Sequence, residues 1–239
     1  MNAGGSVKAD LLTEDVARRH EDMRHPPRRP KDAASLLLVD RQKKTPRVLV
    51  GKRGKGHAFM PAMYVFPGGR RDPNDNRTAL AQPLKGEVAE QLLRRTAAQF
   101  GESAARGLAV AAAREMMEEA HLSLTPAEHT PNLCPDVSHF RYLARAITPP
   151  GMPRRFDTRF FVCFTDEVGA DPATVRDSDE LQDLTWLPID RHEGYPLPGI
   201  TKVVLTDLQE ALDADHTLPF HSKIPYYYYR NGRFVRELI

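Results

Sequence analysis

The period of apolar residues changes several times along the chain, and each change marks an element. Residues 33–40 hold the run Ser35-Leu36-Leu37-Leu38-Val39, which predicts a buried strand. Residues 46–53 predict a second strand, with Val48 and Val50 on one face, and Lys43-Lys44-Thr45 between the two makes a hairpin. Residues 54–62 predict a flexible loop. The apolar Met63-Tyr64-Val65 then runs into Phe66-Pro67-Gly68-Gly69, a sharp turn with a bare backbone. After Pro83, the residues Leu84, Val88, Leu92 and Leu93 follow helical spacing, and Gly101 predicts its end. Residues 111–122, AAAREMMEEAHL, predict a further helix, whose apolar side is Ala109, Ala112, Ala113, Met116, Met117 and Ala120.

The second half reads mainly as strands. Residues 139–148 and 154–166 flank the turn Pro149-Pro150-Gly151-Met152-Pro153. In the latter strand Phe156, Thr158, Phe160, Val162 and Phe164 alternate with Asp157, Arg159, Phe161 and Cys163. Both sets turn apolar after Arg159, so this strand should be central and covered on both faces. Residues 184–187 predict a short strand, and residues 200–212 an amphipathic helix with Val203, Val204, Leu208, Ala211 and Leu212 inward. Tyr226 to Tyr229 and Phe234-Val235 flank Asn231-Gly232, a strong hairpin signal, read as an outer hairpin or a dimer contact. At the other end, residues 1–9 read as disordered. Residues 11–23 carry a weak helical pattern with Thr13 as a cap, and residues 24–31 read as a proline-rich, basic extended arm. The division expected is an N-terminal extension over 1–32 and one domain over 33–239.

Composition narrows the classes. With 239 residues and 41% hydrophobic content, one domain with a sizeable core is expected. A net charge of +2 argues against a general nucleic-acid binder. The two cysteines, Cys134 and Cys163, form no CxxC pair, which favours a reducing compartment. No apolar run approaches a membrane span, and neither a signal-peptide core nor a peroxisomal C-terminal address is present, so the expected location is cytoplasmic.

The candidate chemistry lies on the helix of residues 111–122. Glu115, Glu118 and Glu119 stand at i, i+3 and i+4 and share one face. Like charges at this spacing repel by a few tenths of a kcal/mol per pair, roughly. Arg114 can reach Glu118, but one guanidinium cannot neutralise three acids. A hard divalent ion, Mg²⁺ or Mn²⁺, takes oxygen ligands and sits naturally between carboxylates and a phosphate. The alternative is a solvated acidic margin. Arg154 and Arg155, at the start of the central strand, could hold phosphates in a fork.

A strand, a Pro-Gly-Gly turn and an Arg-Glu-x-x-Glu-Glu helix in this order resemble the Nudix box. Gly69 is followed after five residues by Asp75, and Arg114-Glu115-Met116-Met117-Glu118-Glu119-Ala120-His121-Leu122 fits the second half. Three departures stand out. Asp75 occupies a Glu position. Residues 76–113 replace a seven-residue spacer, an insertion of about 31 residues centred on 76–106. His121 replaces a glycine that suits a left-handed helix end.

The resemblance implies an α/β fold, a Nudix α/β/α sandwich with a mixed sheet and an inserted helix. It implies a Mg²⁺- or Mn²⁺-dependent hydrolase of a diphosphate linked to a further moiety. Glu115, Glu118 and Glu119 would hold metal, and Glu115, Glu119 or Glu180 would take a proton from water. Arg114 would orient the carboxylates. Arg53 would lie in the substrate cleft, and the Gly68-Gly69 backbone would leave space for the phosphates. FPGGRRDPND at 66–75, the insertion and PPGMPRRFDTRFF at 149–161 resemble the coenzyme A diphosphatase branch with an interrupted box. Coenzyme A or an acyl-coenzyme A is then the expected substrate, with NADH or ADP-ribose as the rival and a non-catalytic ligand-binding regulator as the alternative. The insertion is a candidate wall for a large substrate, or a cover for core or a dimer surface. A homodimer is plausible on the same resemblance.

Overall fold

A computed structural model describes residues 3–18, 25–54, 62–129 and 132–239. The expected loop at 54–62 falls mostly on residues 55–61, outside those described, as do residues 19–24 of the N-terminal segment. The elements in chain order are α1 (Ala3–Arg18), β1 (Lys31–Asp40), β2 (Arg47–Arg53), β3 (Tyr64–Val65), β4 (Gly68–Arg70), α2 (Gly86–Leu93), α3 (Glu102–Ala120), β5 (Arg141–Ile147), β6 (Phe156–Phe164), β7 (Leu181–Pro188), α4 (Gly199–Ala214), β8 (Pro225–Arg230) and β9 (Arg233–Leu238).

The strands form a mixed sheet in the order β3-β2-β1-β6-β5-β8-β9, with β4 on β1 and β7 on β2. β1 is antiparallel to β2 and parallel to β6, pairing Ser35 with Phe160 and Leu37 with Val162. Alternation along β1 sends Leu37 and Val39 to one face and Leu36 and Leu38 to the other, and all four are fully buried. The first face packs against α1 and α4, through Ala9, Leu12, Val16, Val203, Val204 and Leu208. The second packs against α3 and α2, through Leu108, Ala112, Met116, Val88 and Leu92. The result is the α/β/α sandwich expected from the sequence, with β6 central and apolar on both faces.

The N-terminal segment differs from its reading. Residues 1–9 were expected to be disordered, yet the helix begins at Ala3. Ala9, Leu12 and Val16 place a narrow apolar stripe on the sheet, and burying Leu12 and Val16 contributes about 1.5–3 kcal/mol each. Thr13 is not a cap. Its hydroxyl donates to Ala9 O at 2.8 Å and accepts the Phe234 amide at 3.0 Å, which ties α1 to β9. Lys8 is buried, and its ammonium donates to Asp207 at 2.6 Å and Glu210 at 2.7 Å on α4. Tyr227 on β8 donates to the same Asp207, at 2.8 Å. A lysine in a weakly amphipathic stretch reads as solvated unless its buried partner, almost two hundred residues away, is known.

The tyrosine run lies on the outer hairpin expected, at the edge of the main sheet, where β8 pairs parallel to β5 and Tyr227 is fully buried. Asn231 and Gly232 both take positive φ, 50° and 80°, as a two-residue hairpin turn needs.

The insertion is only partly helical. A helix over residues 83–100 was expected, but α2 has eight residues and α3 already begins at Glu102. Only the last part of the insertion, from Glu102 on, extends α3 at its N-terminus. Neither Gly nor Pro stops α2. Its end is fixed by tertiary contacts: Arg145 donates to the carbonyls of Arg94 and Arg95, at 3.4 and 2.9 Å. Arg95 takes a positive φ of 55°, and the Arg159 guanidinium lies 4.8 Å from the Phe100 ring centroid. Val88 and Leu92 are buried against α3 and β5, so α2 covers core. Met117, assigned to the apolar side of the box helix, is 42% exposed at its margin.

Replacing Lys8 by Met should lower stability by about 3 kcal/mol, because Asp207 then stays buried without its close ion-pair partner and, among the described residues, keeps only the cation of Arg236, 3.9 Å away. Lys8→Met combined with Asp207→Leu should recover most of the loss. Urea denaturation checks both, and a silent Lys8→Met would mean that α1 does not dock as described.

Candidate active site

The site forms where the short strand β4 passes over the C-terminal half of α3. β4 pairs with β1, Gly68 opposite Ser35 and Gly69 opposite Ala34. A Cβ on Gly68 would overlap the Ala34 carbonyl and the Ser35 hydroxyl, and one on Gly69 would overlap the Glu115 carboxylate. Gly68 is thus required by close approach of backbone, whereas a side chain at Gly69 would displace the Glu115 carboxylate. The Gly68 amide donates to Glu119 Oε2 at 2.7 Å. The bare turn read from the sequence is therefore the surface against which two of the three helix carboxylates rest.

Arg114 gathers the rest. Its Nε donates to Asp75 Oδ1 at 3.0 Å and its Nη2 to Asp75 Oδ2 at 3.3 Å and to Arg70 O at 3.1 Å. Its Nη1 donates to Glu115 Oε1 and Glu118 Oε2, each at 2.8 Å. Asp75, left without a role by the broken spacing, proves to be its anchor. It lies in a 3₁₀ turn, Pro73–Asn76, is almost fully buried, and accepts the Asp72 amide at 2.7 Å. Arg106, inside the insertion, donates to Asn76 O at 2.8 Å and also to Thr78 O, which locks this turn onto α3. The available signal was the five-residue step from Gly69 to Asp75, an acid at the right place ahead of the interruption.

Glu118 is exposed, whereas Glu115 and Glu119 are buried. Burial raises the Glu115 pKa, and Arg114 opposes the shift. Burial pushes Glu119 up to about 8, with the Gly68 amide and Arg53 opposing and Glu115 and Glu180 adding to the rise. Glu180 therefore acts electrostatically on both buried acids although it sits on a distant loop. The Arg176 amide donates to Ala120 O at 3.1 Å, which fastens that loop to the end of α3. Asp177 accepts the amides of Asp183 and Leu184 at 2.8 and 2.9 Å and closes the turn that carries Glu180. His121 ends α3 in the left-handed conformation, φ 54° and ψ 26°, the role expected of the glycine it replaces.

Arg53, at the end of β2, is close enough to lower the Glu119 pKa, and its buried Nε has no hydrogen-bond partner among the described residues. It lines, with Gly68 and Gly69, a cavity of about 170 Å³ on the face that carries α1. Arg154 and Arg155 are not brought to this place. Arg154 is exposed, and Arg155 donates to the carbonyls of Thr148 and Arg28, so its guanidinium fixes the N-terminal arm. No residue of α2 lines this cavity; α2 packs on the α3 face of the sheet, and Arg106 of the insertion braces the Asp75 turn.

The donor set suits a hard divalent cation in its chemistry: Glu115, Glu118, Glu119 and Glu180 are all oxygen donors, and the two buried acids gain from a positive neighbour. With Arg114 on Glu115 and Glu118, however, no three acidic, His or Cys groups among the described residues are arranged as a finished metal site.

The sign of the pH dependence follows from Glu119. Its folded pKa, about 8, exceeds the unfolded value near 4.3, so the folded state binds more protons between these limits. Without divalent ions, stability should fall as pH rises through this window, by about 1.4 kcal/mol per unit at most from this group. Denaturant titrations at pH 5 to 8 in chelator should show that decline, and Glu119→Gln should flatten it.

A NUDIX domain family model matches residues 29–203. A Caenorhabditis elegans protein provisionally named nudix hydrolase 7 is 28% identical over 215 residues, covering 77% of this chain; the chain spans only 62% of that protein. A crystal structure of a NUDIX hydrolase from Alicyclobacillus acidocaldarius is 27% identical, with a TM-score of 0.56, over 78% of this chain and 92% of that one. No helix among the described residues is long and apolar enough to cross a membrane. The family match spans most of the chain and includes β4, the Asp75 turn and α3, and the chain belongs to the NUDIX domain family.

Proposed function

We propose that the chain is a Mg²⁺- or Mn²⁺-dependent hydrolase of a nucleoside diphosphate derivative, with coenzyme A or an acyl-coenzyme A as substrate. The products would be 3′,5′-ADP and phosphopantetheine or its acylated form. The observation that carries the hydrolase reading is the contact of the Gly68-Gly69 backbone with buried Glu115 and Glu119. Buried carboxylates of raised pKa held against a bare backbone are costly for stability and useful for chemistry.

Glu115, Glu118 and Glu119 would hold the cation, with Glu180 as a further oxygen donor. Bound there, the ion would neutralise diphosphate charge and lower the pKa of a water. The chain's own groups do the remaining work. Gly68 and Gly69 leave room for phosphate oxygens, and Arg53 offers an unpaired Nε–H to one of them. Asp75 fixes Arg114, and Arg114 orients Glu115 and Glu118. A carboxylate, Glu119, Glu115 or Glu180, takes the proton from the attacking water as the phosphorus–oxygen bond of the anhydride breaks. The leaving phosphate carries the electron pair of that bond.

The coenzyme A assignment draws on the resemblance of residues 66–75 and 149–161. Several residues of those segments serve structure. Arg71 pairs with Asp32 at 2.9 Å, Asp32 with Arg159 at 3.0 Å, and Asp157 with Arg145 at 2.7 Å. NADH or ADP-ribose remains the rival substrate. A binding module without hydrolysis is the second reading, favoured by the engagement of Glu115 and Glu118 with Arg114.

Glu118→Gln and Glu119→Gln should each lower kcat by about 10²-fold or more with the fold retained. With coenzyme A and Mg²⁺, chromatography should reveal 3′,5′-ADP and phosphopantetheine from the wild type. Turnover of every diphosphate at the wild-type rate by both variants would exclude these acids as the metal site.

Asp75→Asn keeps the shape of the turn and removes the anion that anchors Arg114. It should reduce activity, or the affinity for Mg²⁺, about 10- to 100-fold. Activity titrated against Mg²⁺ separates the two effects.

A further inference from the structure

The cavity on the α1 face borders the candidate site, because Gly68, Gly69 and Arg53 belong to its wall. Its other walls come from parts of the chain far apart in sequence. α1 supplies Leu12 and Val16, the turn before β6 supplies Met152, and β6 supplies Phe156, Thr158 and Phe160. Leu12, Val16 and Met152 are also buried, so the wall is built and not a chance surface depression. The polar margin consists of Asp15, Arg53 and the hydroxyls of Ser35, Thr148, Thr158 and Thr201. Of these, Thr148 already accepts the Phe156 amide at 3.1 Å.

We propose that this cavity, completed by α1, holds the aliphatic segment that follows the diphosphate and so selects aliphatic over sugar-linked substrates. The proposal rests on the hydrolase reading above and goes beyond it by naming the selecting residues. An aliphatic segment next to the diphosphate, such as the dimethyl-bearing part of a pantetheine arm, brings carbon against carbon. A ribosyl group in the same position carries several hydroxyls into a wall that is mostly hydrocarbon. Each hydroxyl would lose its water partners there with few protein groups to replace them. Each methyl group accommodated by such a pocket changes kcat/KM by about tenfold or more. The site phosphates would lie at the Gly68-Gly69 end, beside Arg53, whose Nε has no partner among the described residues, and the chain would run from there toward Met152. In this arrangement α1 is part of the substrate chamber, and the docking of Lys8 on Asp207 holds its wall in place.

The test compares coenzyme A with ADP-ribose, by kcat/KM in Mg²⁺ and by calorimetric binding, for wild type, Thr158→Phe and Met152→Gln. Thr158→Phe fills the chamber from β6, and Met152→Gln keeps the size of the wall but makes it polar. Wild type should favour coenzyme A by about tenfold or more. Each variant should cut that ratio by about tenfold, mainly through KM, whereas a merely structural defect would lower both substrates together and leave the ratio unchanged. If Thr158→Phe does not fold, Met152→Gln carries the same comparison alone. Equal use of the two substrates by wild type, or an unchanged ratio in the folded variants, would overturn the chamber. If neither compound is hydrolysed but calorimetry retains the preference and its loss in the variants, the hydrolase reading fails and the chamber stands. If wild type hydrolyses both equally, the reading stands and the chamber fails.

Discussion

The ion pair between Arg114 and Asp75 is the constraint on which the candidate site depends. Among the described residues, Arg114 is the one cation that touches Asp75, Glu115 and Glu118 together. Burial disfavours its charge, but Asp75 and Glu115 outweigh that and hold its pKa above the ordinary value. Asp75 is almost wholly buried, and removing one partner of a buried pair leaves the other uncompensated, at a cost of several kcal/mol. That cost fixes the 3₁₀ turn to α3, and the turn in turn fixes β4. The Gly68 amide then bonds Glu119, and Gly69 lies directly against the Glu115 carboxylate. The spacing of the sequence motif is broken, but the geometry that the motif serves is closed by one guanidinium.

The long interruption is tolerated for two physical reasons. Lengthening a loop costs little entropy, about 0.6 kcal/mol for each doubling. The inserted residues also recover that cost through burial. Val88 and Leu92 add to the core beside α3, and the N-terminal turns of α3 bury Ala105 and Leu108. A string of ion pairs, Arg71 to Asp32 to Arg159 to Asp157 to Arg145, runs from the β4 side to the carbonyls that end α2. The insertion is therefore welded to the same strands that carry the site, although it contributes no wall to the cavity.

What was legible in the sequence was local. Unbroken apolar runs gave β1 and β6, alternation gave their two faces, and Asn231-Gly232 gave the last hairpin. Three glutamates at helical spacing gave the acid face of α3, and the glycine missing at position 121 pointed to a left-handed residue there. What was not legible depends on partners distant along the chain. Lys8 looks solvated until Asp207 is placed beside it. α2 looks longer than it is, because its stop is Arg145 and not a glycine or proline. Arg155 looks like a phosphate ligand, yet backbone carbonyls claim its guanidinium. Asp75 was visible as an acid, but only the folded turn puts it on Arg114.

The same distance dependence explains the electrostatic state of the site. Buried Glu119 and Glu115 can be made tolerable by a proton, by Arg114 and Arg53, or by a divalent ion, and these compete. Arg114 serves Glu115 and Glu118, but Glu119 receives only an amide and the more remote Arg53, so its proton affinity rises most. The acid least satisfied by protein groups is thus the one with most to gain from an added cation. Arg114 is held on its far side by Asp75, whereas Glu118 on its near side is exposed. A site so balanced is unfavourable without compensation, and on the proposed reading that imbalance would drive the uptake of a cation together with the negative charge of a diphosphate.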